Sequence, residues 1–156
     1  MASYQVFEHF IALDPGETTG VAIYTIGKRE GTINRFWKRM QITDLKDLWR
    51  VLAVEEPKVV AYEMFTQSLG AGSTNFGAVE AIGVIKLYGA LTDKELVPQA
   101  RQVKNFWTDE KIKQCGLWEP GMKHAMDATR HMLYYLMQEA RETYYINRLK
   151  RPSSAG

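Results

Sequence analysis

The side chains in this sequence best suited to chemistry are two acids that close apolar runs and a histidine spaced with a third acid. In Ile11-Ala12-Leu13-Asp14-Pro15-Gly16-Glu17-Thr18-Thr19-Gly20-Val21-Ala22 the apolar run ends at Asp14, and Pro15, Gly16 and Gly20 let the backbone double back at once. A carboxylate is thereby set at the rim of a rigid element, a suitable position for a metal ligand. Taken alone, Asp-Pro-Gly is also an ordinary turn signal. Val59-Val60-Ala61-Tyr62-Glu63 repeats the pattern, an apolar run closing on an acid before a glycine-containing loop. By itself such a glutamate is commonly a solvated edge residue. His124 and Asp127 are spaced to share one face of a helix, where an acid in the first turn also serves the helix dipole. Carboxylate and imidazole are both ligands for Mn²⁺, while Mg²⁺ prefers oxygen, so the four residues together could hold divalent cations.

The elements that must position them follow from periodicity. Val6 to Leu13, Val21 to Ile26 and Thr32 to Met40 read as strands separated by turn formers, an opening antiparallel meander. Thr43 or Asp44 caps a helix whose Leu45, Leu48, Val51 and Leu52 recur at helical spacing. Lys58 to Tyr62 reads as a strand buried on both faces. Residues 64 to 73 look like a mobile loop. A helix is expected from Asn75 to Ala90, weakened by Gly77 and Gly83. A short strand, Glu95 to Pro98, leads into the basic stretch Arg101 to Lys113. The last helix is expected from Met122 to Tyr145, and the tail from residue 151 to 156 is expected to be disordered. Three strands, helix, strand, helix, strand and helices make an α/β domain with a five-stranded mixed sheet, three antiparallel strands then parallel ones, with helices on both faces. This is the element order of the RNase H-like fold.

With 156 residues, residues 1 to 150 are expected to form a single domain. Hydrophobic residues make up 46% and charged residues 24%, an ordinary globular balance that argues against a disordered or fibrous chain. Cys115 has no second cysteine for a disulfide or a thiolate metal cage, which fits a reducing compartment. No apolar run approaches the roughly 20 residues of a membrane span. The opening MASYQVFEHF lacks the basic-then-apolar pattern of a signal peptide, so a soluble, cytoplasmic protein is expected. The net charge is only +2. If Asp14, Glu63 and Asp127 are offset by cations, however, the remaining surface is more basic. The stretch from Pro98 to the end is also richer in Lys and Arg than in acids, so the balance permits nucleic-acid binding without demanding it.

A strand-end Asp, a strand-end Glu and a helical His-x-x-Asp in this order resemble the RuvC family of Holliday-junction resolvases. Ile11 to Ala22 resembles the family's first motif and Val59 to Glu63 its second. Pro98-Gln99-Ala100-Arg101-Gln102-Val103-Lys104 resembles the segment before its basic helix, and His124-Ala125-Met126-Asp127-Ala128 its last motif. The short, compact form is similar to phage-encoded members. The resemblance implies a catalytic set of Asp14, Glu63, His124 and Asp127 as metal ligands with Lys104 contacting the scissile region. It also implies hydrolysis that leaves a 5′-phosphate and a 3′-hydroxyl. The segment between Lys104 and His124 is compact for the family. Phe65 stands one residue out of the family's pattern, which leaves open whether it is a wedge at the junction or a half-buried loop aromatic.

Two Mg²⁺ or Mn²⁺ ions about 3.5 to 4 Å apart would activate water and stabilise the leaving oxygen. Asp14 is then expected to bridge them, with Glu63 and Asp127 on separate ions and His124 as a ligand or proton-handling neighbour. Arg101, Lys104, Lys111, Lys113, Lys123 and Arg130 are the expected phosphate contacts. Phe65, Thr66, Gln67 and Ser68 are expected near the cut. A four-way DNA junction cut on two strands implies a homodimer. The helix from Asn75 to Ala90 and Tyr134, Tyr135, Tyr144 and Tyr145 offer surface for it or pack the core. Three alternatives stand beside this reading: an RNase H-like nuclease for other branched DNA or structured RNA, a non-catalytic junction-binding module, and an actin-like or sugar-kinase-type ATP-binding lobe. The last needs two such lobes and the chain supplies one.

Overall fold

The computed structural model describes residues 6–65 and 75–149, with side chains as far as Arg141. Three long strands open the chain: β1 (Val6–Asp14), β2 (Thr19–Arg29) and β3 (Thr32–Ile42). They form an antiparallel meander. Glu30 and Gly31 both take positive φ between β2 and β3, the two-residue geometry that matches strand twist. Helix α1 (Leu45–Glu55) starts at Asp44, whose side chain accepts the Lys46 N–H at 2.7 Å. It ends at left-handed Glu56, just before Pro57. Strand β4 (Val59–Glu63) runs parallel to β1, and after α2 (Phe76–Thr92) strand β5 (Glu95–Gln99) runs parallel to β4. The sheet order is β3-β2-β1-β4-β5, the mixed five-stranded arrangement expected from the sequence.

The basic stretch after β5 is a 3-10 turn, Arg101–Phe106, followed by the short helix α3 (Asp109–Gln114). The long helix α4 (Lys123–Leu149) closes the fold. Gly77 and Gly83 do not interrupt α2. Gly77 lies against Glu17, where an added Cβ would meet the Glu17 nitrogen at 2.5 Å, so the helix start packs directly on the loop after β1. Most of the loop expected at residues 64 to 73, together with the expected tail, lies outside the described residues.

Alternation along the strands divides the core in two. Ile11, Leu13, Val21, Ile23, Val60 and Tyr62 face α1 and α2, meeting Leu48, Leu52, Ile82 and Ile85. Phe10, Ala12, Ala22, Tyr24, Val59 and Ala61 face α4, meeting Ala128, Met132 and Tyr135. Small alanines under α4 let the helix lie close to the sheet. Closest of all is Gly20, where a Cβ would fall 1.8 Å from the His124 carbonyl oxygen. Only glycine permits that approach, and it fixes the height at which the first turn of α4 crosses the sheet.

Candidate active site

Strand parity continues past the hydrophobic core into the polar residues at the strand ends. Asp14 follows Phe10 and Ala12 onto the α4 face, and Glu63 follows Val59 and Ala61. Gln99 follows Val97 and pairs in register with Glu63. Three adjacent parallel strands therefore end in polar side chains under one helix. Leu13 pairs with Tyr62, so the two acids leave β1 and β4 at the same level.

Helix α4 supplies the other groups. Its N-terminus is held from a distance, because the Gln41 side-chain oxygen on β3 accepts the N–H of His124 at 3.0 Å and that of Ala125 at 3.4 Å. Arg39, also on β3, bonds Glu119 at 3.0 Å just before the helix. These contacts set His124 Nδ1 3.2 Å from Asp14 Oδ2. One turn on, Asp127 faces the same cluster. At its centre is the ammonium of Lys104, carried by the 3-10 turn. Lys104 Nζ lies 2.7 Å from Glu63, 3.3 Å from Asp127 and 3.8 Å from Asp14.

Burial and neighbouring groups shift three members of the cluster, and not in one direction. Burial raises the Asp14 pKa, and the charges of Asp127 and Glu63 add to it; Lys104 and the His124 hydrogen bond offset only part. Burial would raise Glu63 as well, but hydrogen bonds from His131 and Lys104 outweigh it and hold that carboxyl at about 2. Burial opposes the charged form of Lys104. Its bond to Glu63 and the three carboxylate charges outweigh that and raise its pKa.

In donor type and charge the cluster fits a hard divalent ion: three carboxylates, one of them the buried Asp14, and one imidazole. Among the described residues, no three His, Cys, Asp or Glu side chains already close on one point as a metal cage would. The point common to the three carboxylates is occupied by the Lys104 ammonium, and the acids are spread around it.

The sequence thus brings Asp14, Glu63, His124, Asp127 and Lys104 together. The expected phosphate contacts divide. Arg101 and Lys123 are exposed, as is Lys113, whose ammonium lies 4.7 Å over the Trp118 ring. Lys111 donates to the Phe106 carbonyl at 2.7 Å and sits over that ring. Arg130 is committed within the fold: it bonds Asp127 at 2.5 Å, the Trp107 carbonyl at 2.8 Å and Asp109. Its neighbour three residues back is an acid of the cluster, so Arg130 braces Asp127, and it also lines the open cavity beside the cluster. Phe65 is partly exposed at the end of β4. Thr66, Gln67 and Ser68 lie outside the described residues. Beside the cluster an open cavity of about 590 Å³ shares Lys104 and Asp127 and is lined by Arg101, Gln102, Asn105 and Trp107.

Sequence reasoning missed His131, Gln99 and Gln41. His131 is fully buried, with Nε2 3.1 Å from Glu63 and Nδ1 2.6 Å from Gln99. One signal for it existed: residues 124, 127 and 131 recur at the spacing of a single helical stripe.

No protein-family model matches the sequence, and no curated protein is similar to it in sequence. Solved structures are similar in fold. The RuvC of Thermus thermophilus in complex with a Holliday junction substrate matches with a TM-score of 0.65 at 16% identity, covering 85% of this chain and 96% of that one. A further RuvC structure from Thermus thermophilus gives 0.65 at 14% identity, over 86% and 97% of the two chains. The Fowlpox virus resolvase in complex with Holliday junction DNA gives 0.55 at 14% identity, over 83% and 97%. Among the described residues no helix is long and apolar enough to cross a membrane. Strand order, the helices on both faces and these likenesses agree: the chain has the RNase H-like fold in the form seen in RuvC and the Fowlpox virus resolvase.

Proposed function

We propose that this protein is a divalent-metal-dependent endonuclease that resolves four-way DNA junctions by paired phosphodiester hydrolysis, acting as a cytoplasmic homodimer. The observation that carries the reading is the convergence of Asp14, Glu63 and Asp127 on one ammonium, with His124 on Asp14, at the ends of the parallel strands. Acids remote in the chain are gathered there against their mutual repulsion. A bound partner of opposite charge is the simplest physical reason for such an arrangement.

Asp14, Glu63, Asp127 and His124 would hold Mg²⁺ or Mn²⁺. When bound, the ions supply a nucleophilic water at neutral pH and stabilise charge on the leaving oxygen. The residues around them have separable tasks. Asp14, the most buried of the acids, would be one of the ligands, and His124 would orient it or handle a proton. Lys104 neutralises the acids until the site is loaded and then serves the scissile phosphate. Arg130 keeps the Asp127 carboxylate turned into the site. Arg101, Lys111, Lys113, Lys123 and Arg130 would contact phosphates, with Phe65, Thr66, Gln67 and Ser68 near the cut.

A symmetric substrate cut twice calls for two copies of the site. The outer face of α2 supports this: Phe76, Val79, Leu87 and Leu91 are all exposed large apolar side chains on one helix. The reading is tested by presenting purified protein with Mg²⁺ or Mn²⁺ to matched labelled substrates, namely a four-way junction, a fork, linear duplex and structured RNA. Symmetric paired nicks in the junction are expected. Preferential cutting of forks or RNA would move the assignment to another substrate of the same fold, and junction binding without cutting under either ion would contradict it.

A further inference from the structure

Behind the acid cluster, two polar side chains are buried where the end of β5 meets α4. Gln99 is 5% exposed and His131 is fully buried, and around them lie Ala61, Val97, Ala128 and Met132. Burying a polar pair among such residues costs free energy that an apolar pair of similar volume would not, so the pair calls for a reason.

The hydrogen bonds between them admit one arrangement. The Gln99 amide nitrogen donates to the His131 main-chain carbonyl at 3.2 Å, which leaves its oxygen to accept from His131 Nδ1 at 2.6 Å. Turning the amide over would set acceptor against acceptor at the carbonyl. The ring is therefore held in one orientation, with Nε2 3.1 Å from Glu63 Oε2, where the carboxylate accepts a hydrogen bond when both ring nitrogens carry hydrogen. Lys104 binds that same oxygen. Glu63 Oε1 has no protein partner among the described residues. The backbone is tied in parallel, since the Met64 N–H donates to the Gln99 carbonyl at 2.9 Å. The end of β5 thus fixes Glu63 twice, through its main chain and, by way of His131, through its carboxylate.

We propose that Gln99 and His131 are positioning residues for Glu63: they lock its carboxylate in one rotamer, with one oxygen anchored and the other free to meet a divalent ion. The inference rests on the nuclease reading and adds to it that ion affinity depends on this buried pair. Glutamate is a flexible side chain, and ordering it in advance removes an entropic cost from binding. Neither residue touches DNA in this account, so junction binding should not depend on them.

The test is Mn²⁺ titration by calorimetry without DNA, on wild type and His131→Phe, His131→Gln and Gln99→Leu, with thermal melting of each. Phenylalanine keeps the ring volume and loses both hydrogen bonds. Glutamine can return a donor near the Nε2 position. His131→Phe and Gln99→Leu are expected to bind Mn²⁺ on the order of 10-fold or more weakly. His131→Gln should recover most of the affinity, and junction binding in EDTA should match wild type throughout. A folded His131→Phe that binds Mn²⁺ as wild type does would overturn the inference. Should that variant not fold, unchanged affinity in Gln99→Leu overturns it equally. Wild type that binds no Mn²⁺ would instead overturn the nuclease reading, and this inference with it.

Discussion

Replacing Lys104 by methionine would leave Asp14, Glu63 and Asp127 facing one another across a few ångströms of partly desolvated space. Removing one partner of a fully buried ion pair costs about 3 to 5 kcal/mol, and this site is less than fully buried. Lys104→Met is therefore expected to lower stability by roughly 1 to 3 kcal/mol in EDTA. Mn²⁺ should restore more stability to this variant than it adds to wild type, read from urea unfolding with and without the ion. The two strand-end acids differ in sign. Glu63, held at about 2, contributes stability above its unfolded value of 4.5 and loses it as pH falls through the folded one. Asp14 is raised above 3.8, so its ionised form weakens the metal-free fold, and stability from this group is regained as pH falls through its folded value. In EDTA at neutral pH, Asp14→Asn is expected to unfold at or above the wild-type denaturant midpoint and Glu63→Gln below it. The reverse order would contradict the electrostatics described here.

At the scale of elements, Gly20 controls how α4 meets the sheet. Gly20→Ala would drive a methyl into the His124 carbonyl, a backbone atom that can yield only if the helix moves. A loss of about 1 to 3 kcal/mol is expected by urea denaturation, with weaker Mn²⁺ binding because His124 moves with its helix. Much of this level was legible from the sequence. The apolar runs that close on Asp14 and Glu63 placed both acids at strand ends. The helical spacing of His124 and Asp127 put both on one stripe. What escaped depends on register between elements far apart. Gln99 matters because it pairs with Glu63, and Gln41 because the helix start passes over β3. Neither fact has a local pattern. The bonds of Arg130 to Asp109 and to the Trp107 carbonyl escaped for the same reason.

For the whole molecule, the fold sets the acid cluster at one end of the sheet and leaves the outer face of α2 apolar. Phe76 is 71% exposed and Leu91 67%, high values for side chains of this size on one helix. Sedimentation at micromolar concentration is expected to show a dimer, and Leu87→Glu with Leu91→Glu to shift it toward monomer. The same variant should nick one strand of a junction more often than two. A monomeric wild type making paired cuts would refute that role for α2. The central claim, that these acids cut DNA and do not merely adorn a binding surface, is tested most directly by Asp14→Asn. Binding and cleavage of one labelled four-way junction should be scored separately, in Mg²⁺ and in Mn²⁺. The account predicts junction binding within a few-fold of wild type and no detectable cleavage under either ion; cleavage by the variant at the wild-type rate would contradict it.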